Sequence, residues 1–217
     1  MKTDPQLAQD VADELYWTPE VDSSNVGVIA KDGVVTLTGH LASFAEKYAA
    51  EQAVQRVRGV QAIAMEITVN LAADRVRTDA DIALAAQRAI EWTSCLPSDA
   101  VCVTVEAGHV KLSGQVKWQY QRAAAEGAVR NLMGVVGVTN QIAIGPTVRT
   151  LDLEEIIRNA LARQADLEAN NLRVTVDDGE VTLRGTVHSW SARQAIHGAA
   201  WSAPGVSSVI DLMTIAD

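Results

Sequence analysis

The amino-acid sequence predicts an α+β protein built from three tandem repeats, each with the order helix, strand, strand, helix, strand. One eight-residue phrase occurs three times, at 32–39, 107–114 and 178–185, so its copies begin 75 and then 71 residues apart. Apolar positions on both sides of the phrase stay in register at the same two offsets. A self-similar chain is analysed repeat by repeat, because the repeat is the folding unit.

Each repeat opens on apolar residues spaced by four, which places them on one face of a helix. The three sets are Leu7, Val11 and Leu15; Ile82, Ala86 and Ile90; and Leu153, Ile157 and Leu161. Apolar residues then alternate with polar ones over 26–30 and over the phrase itself. This alternation predicts two strands, each with one buried face.

Every copy of the phrase contains two glycines: Gly33 and Gly39, Gly108 and Gly114, and Gly179 and Gly185. The first of each pair separates the two strands, and Asp-Gly in the first and third copies is a strong signal for a short hairpin. Glycine adopts a positive φ without steric cost, so its recurrence predicts a tight turn in all three repeats.

A second helix is predicted over 43–57, 117–132 and 189–203, and a last strand closes each repeat. Its inward residues are predicted to be small, at Ala49 and Ala53, Ala124 and Ala128, and Ala195 and Ala199. Ser43 with Glu46 three residues later indicates a capping box. Linkers near 70–78 and 145–150 divide the chain into repeat 1 (1–72), repeat 2 (73–148) and repeat 3 (149–217).

The composition is typical of a soluble globular protein, with 48% hydrophobic and 21% charged residues. No run approaches the ~18 apolar residues of a membrane-spanning helix. The net charge of −9 divides into −5, 0 and −4 over the three repeats. Such a balance argues against nucleic acid, whose affinity depends on Lys and Arg neutralising phosphates. It also argues against general adhesion to an anionic bilayer, and only the neutral repeat 2 escapes that objection.

The start of the chain lacks the basic and apolar segments of a secretory signal. We therefore expect a cytoplasmic protein if Met1 is the natural start, and a periplasmic one if a signal has been removed. Cys95 and Cys102 occur only in repeat 2 and are interpreted as reduced thiols.

The order of elements, the phrase Val34-Val35-Thr36-Leu37-Thr38-Gly39 and a later Gly-Val before the last strand resemble the BON domain family. That family is named for bacterial osmotically induced and nodulation proteins, and the resemblance covers about 4–71, 78–146 and 150–216. It implies a mixed three-stranded sheet with two helices on one face.

The resemblance also implies a non-enzymatic module, usually bacterial and often in the cell envelope, that binds phospholipid or mediates protein contacts. In some lipid-binding members the first helix of one unit contacts the membrane. Another branch is associated with potassium binding.

The residues themselves indicate no catalytic, metal or cofactor site. His40, His109, His188 and His197 lack the spacing to cysteine or to one another that a metal site needs. The Asp177-Asp178-Gly179-Glu180 segment lacks the ligand pattern of an EF-hand and is interpreted as the third hairpin turn. No nucleophile has an adjacent base. We therefore expect no enzyme activity and no cofactor.

The aromatic residues are the most suggestive feature of the chain. Trp17 and Trp92 are equivalent positions at the end of the first helix, about 200° from the inward residues. The favoured interpretation is burial against a neighbouring repeat, and the alternative is an exposed anchor at a lipid–water boundary. Phe44, Trp118 and Trp190 are interpreted as structural covers at the start of the second helix.

Two function classes compete. The first is a non-enzymatic, stress-related scaffold that binds a protein partner or a second copy through helix-free sheet faces bearing Ile29, Cys102, Ile210 and Leu212. The second is a peripheral binder of anionic phospholipid, which would use Trp17 or Trp92 with a basic patch in repeat 2. The candidate patch residues are Lys111, Lys117, Arg122 and Arg130, for which a solvated helix face is the commoner explanation. An exposed Trp92 favours lipid and a buried one favours the scaffold; potassium binding is a third alternative.

Overall fold

The computed structural model describes residues 2–145, 153–162, 172–177, 179–203 and 205–215. Repeat 1 contains α1 (Asp4–Tyr16), β1 (Val26–Lys31), β2 (Val34–Leu41), α2 (Phe44–Arg56) and β3 (Ala62–Val69). Repeat 2 contains α3 (Asp79–Glu91), β4 (Val101–Glu106), β5 (His109–Val116), α4 (Gln119–Arg130) and β6 (Gly137–Ile144). Repeat 3 contains α5 (Leu153–Ala162), β7 (Leu172–Asp177), β8 (Glu180–Val187), α6 (Trp190–Trp201) and β9 (Ser208–Ile215). The side chain of Leu161, the residue Asp178 and most of the 145–150 linker lie outside the described residues.

Each repeat forms its own mixed three-stranded sheet, as predicted. The orders are β1-β2-β3, β4-β5-β6 and β7-β8-β9. The first two strands of each sheet pair antiparallel as a hairpin, and the third strand runs parallel to the central one. A parallel neighbour needs a crossover, which the second helix of each repeat supplies.

The core of repeat 1 lies between its sheet and its two helices. Leu7, Val11 and Leu15 of α1 pack with Val35 and Leu37 of β2 in one buried cluster. Repeats 2 and 3 have equivalent clusters of buried apolar residues around Leu112 and Leu183. Three such small cores replace one large core, as expected for a chain in which the repeat is the folding unit.

The predicted inward face of the second helix is displaced by one position. Ala195 is exposed, and Ala49, Ala124 and Ala128 are half-buried, although Ala53 and Ala199 are buried as predicted. The fully buried stripe runs instead through the next residues along the chain: Ala50 and Val54, Ala125 and Val129, and Ile196 and Ala200. The larger valines and isoleucine set the orientation of the helix, because they bury more apolar area than alanine.

The six glycines of the phrase all have positive φ: 78° at Gly33, 118° at Gly39, 76° at Gly108, 126° at Gly114, 86° at Gly179 and 147° at Gly185. Only the first of each pair lies in a hairpin turn; the second lies within a strand, at Gly39 of β2, Gly114 of β5 and Gly185 of β8. Asp32 and Ala107 precede the first glycine and also have positive φ, of 50° and 49°. Two successive positive φ values are typical of the type I′ turn that matches strand twist in a two-residue hairpin. At Gly39 a Cβ would collide with the carbonyl oxygen of Asn25, so this position requires glycine for space as well as for φ.

The first helix of each of the first two repeats also fastens the hairpin turn. The Asp79 carboxylate accepts hydrogen bonds from the backbone N–H groups of Ala107 (2.8 Å) and Gly108 (2.9 Å). In repeat 1 the Asp4 carboxylate accepts one from Asp32 (3.0 Å). These first-turn acids therefore do more than complement the helix dipole, because they hold the strained turn in place.

The predicted capping box at Ser43 forms only in part. The Ser43 hydroxyl accepts from the Glu46 N–H at 3.2 Å, but the Glu46 carboxylate accepts from Ala42 and Asp22 instead of Ser43. At the equivalent position of repeat 2, the buried Gln121 side chain accepts from the N–H groups of Lys117 and Trp118. In repeat 1 this residue therefore fastens only the loop that precedes the helix, whereas in repeat 2 it bonds both that loop and the N-cap residue, Trp118.

The second helices carry contacts between repeats. The Arg130 guanidinium of α4 lies 3.4 Å from the centre of the Tyr48 ring of α2, a cation–π contact. Gln194 of α6 donates to the side-chain oxygen of Gln55 in α2 at 2.6 Å. Phe44 packs against the core of repeat 2. In the described residues, no helix is long and apolar enough to cross a bilayer.

Candidate functional site

Two tryptophans occupy the same position at the ends of α1 and α3. Trp17 and Trp92 are the residues immediately after these helices. Their backbone N–H groups donate to the backbone carbonyl oxygens of Asp13 (2.9 Å) and Arg88 (3.0 Å), respectively. Their helical backbone conformation continues the outward face of the helix by one residue. Helix geometry thus fixes the direction of both indole rings away from the core.

The favoured expectation that these tryptophans are buried against a neighbouring repeat is wrong. The exposed fraction is 81% for Trp17 and 89% for Trp92. The reason is that α2 contacts both α4 and α6, so the second helices approach the neighbouring repeats. The ends of α1 and α3 remain open to solvent.

Trp92 belongs to an exposed stripe along α3 that the sequence analysis did not identify. Leu84, Arg88 and Trp92 are spaced by four and lie on one face of the helix. Leu84 is 50% exposed, and Arg88 is exposed. Among the described residues the Arg88 side chain has no hydrogen-bond or ion-pair partner. We call these three residues the α3 stripe. The sequence already contained the signal for this stripe. Each of its three residues lies two positions after a buried one and therefore on the outward side of the helix.

The equivalent stripe on α1 has opposite chemistry. Gln9, Asp13 and Trp17 stand 75 residues before the members of the α3 stripe. The Gln9 amide donates to the Asp13 carboxylate at 2.8 Å, so this face is polar and acidic beside its tryptophan. We call these residues the α1 stripe. Trp17 also lines a cleft of about 750 Å³ that includes Arg56 and, from repeat 2, Arg130.

The four basic residues predicted as a patch are distributed over several surfaces. Lys111 is exposed on β5 between the buried Val110 and Leu112, so it lies on the face of the sheet away from the helices. Lys117 lies in the loop before α4. Neither residue is on α3 beside Trp92.

Arg122 and Arg130 of α4 are engaged within the protein. Arg122 donates to the carbonyl oxygen of Asn140 at 3.2 Å. Arg130 pairs with Glu126 at 3.5 Å and stacks on Tyr48. Since these guanidinium groups already bind protein groups, they are less available to a phosphate than Arg88 is.

A cleft between repeats 2 and 3 was missed by the sequence analysis. It has a volume of about 880 Å³, and Trp118 and Trp190 line it together with Tyr120, Trp201 and His197. Trp118 and Trp190 therefore face an inter-repeat cleft, whereas they were interpreted as covers of their own cores. Sequence could not show this, because the cleft depends on how two repeats approach one another.

His197 is a half-buried titratable side chain of this cleft. Burial lowers the pKa of His197 below its ordinary 6.5, the Asp211 carboxylate opposes this, and Arg193 adds to it. The Trp201 indole N–H donates to Nε2 of His197 at 3.2 Å, which requires the neutral imidazole.

Among the residues that the structure describes, no three His, Cys, Asp or Glu side chains are close enough together to hold a metal ion. Cys95 and Cys102 are free thiols, and Cys102 is exposed on the helix-free face of its sheet.

Comparisons with solved structures find chains that share only low identity with this one. Solved structures similar to this chain include two of CdsD, a structural protein of the type III secretion system of Chlamydia trachomatis. One is 16% identical with a TM-score of 0.27, covering 97% of this chain and 92% of the other. The other, of the C-terminal domain, is 15% identical with a TM-score of 0.27 and covers both chains completely, at 100% each.

A search of curated proteins finds no match. The family model of the BON domain matches this chain three times, at residues 3–70, 78–146 and 150–217. Together these matches span nearly the whole sequence, so the chain belongs to the BON domain family and carries three tandem copies of the domain.

Proposed function

We propose that this protein binds membrane surfaces peripherally, through the α3 stripe of repeat 2. The observation that carries the proposal is the exposure of Leu84, Arg88 and Trp92 on one helix face. Tryptophan favours the boundary between water and lipid, and leucine favours the acyl region below it. Arg88 between them can meet an anionic phosphate group.

The charge distribution supports repeat 2 as the contacting unit. Repeat 1 carries −5 and repeat 3 carries −4, whereas repeat 2 is neutral. An anionic surface therefore repels repeats 1 and 3, whereas it exerts no net electrostatic repulsion on the neutral repeat 2. One basic residue near such a surface contributes about 1 kcal/mol. With two apolar side chains this gives weak, reversible binding that depends on salt.

Co-flotation with vesicles tests the proposal. The purified protein is mixed at low salt with phosphatidylcholine vesicles, with or without phosphatidylglycerol. We expect flotation with phosphatidylglycerol, loss of it in Trp92→Ala, and retention in Trp17→Ala. The Trp17→Ala variant is the matched control, because it removes an equally exposed tryptophan from the same helix position. No flotation of the wild-type protein at low salt would contradict the proposal.

A second candidate function is protein binding through the helix-free sheet faces. Ile29 is 60% exposed, Leu212 is 48% exposed and Ile210 is 39% exposed, and all three lie on strands. Exposed apolar strand residues favour an interaction surface. Self-association through repeat 3 would appear as a dimer in sedimentation velocity, abolished by Leu212→Lys. A monomer at all concentrations would remove the second-copy form of this alternative and leave the membrane proposal intact.

A further inference from the structure

A small apolar pocket lies between repeats 1 and 2, beside the linker that joins them. Its volume is about 310 Å³, near the lower end of the ~300–1,000 Å³ of small-molecule sites. The apolar side chains of its lining are those of Phe44, Leu71, Leu132, Met133 and Val135. Phe44 and Leu132 pack on the core of repeat 2 but are only half-buried, so part of their apolar surface is left for the pocket. We call this cavity the linker pocket.

The linker between repeats 1 and 2 is held in place as one wall of the linker pocket. It contributes Leu71 and Arg75 to the lining. The Arg77 guanidinium donates to two backbone carbonyl oxygens of the linker, at 2.8 Å each, and to the Met133 sulfur at 3.3 Å. These hydrogen bonds tie the linker to repeat 2, so the apolar side chains of the two repeats enclose a space of defined shape.

The charges at the linker pocket are positive. Arg75 and Arg130 line it, and no Asp or Glu belongs to the lining within the described part of the chain. Both arginines also line the larger cleft beside Trp17, so they stand where the pocket opens into that cleft. Arg130 is paired with Glu126 at 3.5 Å, whereas the exposed Arg75 side chain has no hydrogen-bond or ion-pair partner among the described residues. In a chain of net charge −9, this mouth favours a negatively charged ligand.

We propose that the linker pocket binds a free fatty acid of short or medium chain length, with its carboxylate at Arg75 and its alkyl chain in the apolar interior. The planar guanidinium group matches a carboxylate through two parallel hydrogen bonds. The alkyl chain buries its surface against Phe44, Leu132 and Val135, which is the favourable part of the binding free energy. A membrane phospholipid has two long chains, which a pocket of about 310 Å³ does not hold. The site is also separate from the α3 stripe, none of whose residues lines it.

Titration of the full chain labelled with 13C at the methionine methyl groups tests the proposal, with sodium octanoate as the probe. Met133 lines the linker pocket, whereas Met65 packs on the core of repeat 1 and Met213 belongs to the core of repeat 3. The Met133 resonance is identified by its absence in Met133→Leu. We expect this resonance to shift and saturate while those of Met65 and Met213 stay in place. No Met133 shift at millimolar octanoate, or equal shifts of all methionine resonances, would overturn the proposal.

Ligands of equal chain length and a matched variant test the role of charge. Octanol has a neutral head group and octylammonium a cationic one, and each should bind at least about tenfold more weakly than octanoate. Arg75→Gln should weaken octanoate binding about tenfold and leave octanol binding unchanged. Arg58→Gln removes an exposed arginine of repeat 1 outside the pocket lining, and it should bind octanoate as the wild-type protein does. Octylammonium binding as tight as that of octanoate, or equal losses in the two variants, would contradict the assignment to Arg75.

Chain length tests the apolar part of the linker pocket. From butanoate to octanoate, each added methylene should tighten binding about threefold to fourfold, as expected for burial of a CH₂ group. The gain should stop by dodecanoate, because the volume is small. Dioctanoylphosphatidylglycerol, a soluble lipid with two chains, should bind more weakly than octanoate. An affinity that does not rise with chain length would contradict burial of the chain, and tighter binding of the two-chain lipid would contradict a free fatty acid as the ligand.

Discussion

The outward faces of α1 and α3 differ although the two helices are built alike. Both have 13 residues, bury three apolar side chains at equivalent positions and end in an exposed tryptophan. At the outward positions that precede the tryptophan, the α1 stripe has Gln9 and Asp13, whereas the α3 stripe has Leu84 and Arg88. Inward residues and caps determine the fold of each repeat, and the outward residues give each repeat its own surface. A function confined to one repeat must therefore depend on the positions at which the repeats differ.

The largest effect is expected from exchanging the two stripes. Leu84→Gln with Arg88→Asp gives α3 the chemistry of α1, while Trp92 and all buried residues remain. We expect binding to phosphatidylglycerol vesicles to fall more than about tenfold, because a basic residue near the surface is replaced by an acidic one. Flotation at low salt measures this.

The reverse exchange sharpens the comparison. Gln9→Leu with Asp13→Arg gives α1 the chemistry of α3, and it should increase flotation above that of the wild-type protein. If neither exchange changes binding while both proteins keep their circular dichroism, the outward stripes do not distinguish the repeats.

An intermediate effect is expected at the first-turn acids, where the comparison concerns stability. Asp79 accepts hydrogen bonds from two N–H groups of the hairpin turn, whereas Asp4 accepts one. Asp79→Ala should lower the free energy of unfolding by about 1–2 kcal/mol, because it removes the acceptor of both hydrogen bonds. The loss is not larger because an exposed charged acceptor contributes less to stability than a buried one. Asp4→Ala should cost less. Urea unfolding measures both variants, and a larger loss in Asp4→Ala would contradict the role assigned to the second hydrogen bond.

The smallest effect is expected in repeat 3, where His197 stands at the position of Glu126 in repeat 2. Because burial lowers the pKa of His197, the unfolded chain binds a proton more readily than the folded one. Its contribution to stability is complete above the ordinary pKa of 6.5 and is lost as the pH falls toward the lowered value. We expect His197→Gln to reduce the loss of stability between neutral and mildly acidic pH, as measured by urea unfolding. An unchanged pH dependence would contradict this assignment.

The sequence predicted the architecture well because the information lies in local periodicity. The repeated phrase located the central strand and hairpin of every sheet, and the spacing of Leu7, Val11 and Leu15 predicted the buried face of α1. The second helix was less accurate, because alanines are frequent on both sides of its true inward stripe. Small apolar residues fit a core and a helix surface almost equally well.

The candidate site was harder to predict because it depends on how repeats approach one another. Burial of Trp17 and Trp92 against a neighbouring repeat was expected, but α2, α4 and α6 make the contacts between repeats instead. Arg122 and Arg130 were grouped with Lys111 by sequence, whereas hydrogen bonds and stacking engage them elsewhere. The cleft at Trp118 and Trp190 exists only in the assembled chain. The limits of the three repeats at 72 and 148 remain predictions.

The most direct test of the membrane proposal compares two proteins that differ only in which stripe retains its tryptophan. Trp17→Phe keeps Trp92 and Trp92→Phe keeps Trp17, and each is mixed with phosphatidylglycerol vesicles that contain brominated lipid, a short-range quencher of tryptophan fluorescence. We expect quenching in Trp17→Phe and its loss in Trp92→Phe, because only the α3 stripe enters the lipid boundary. Equal quenching in both proteins, or quenching confined to Trp92→Phe, would contradict the proposal that repeat 2 meets the membrane.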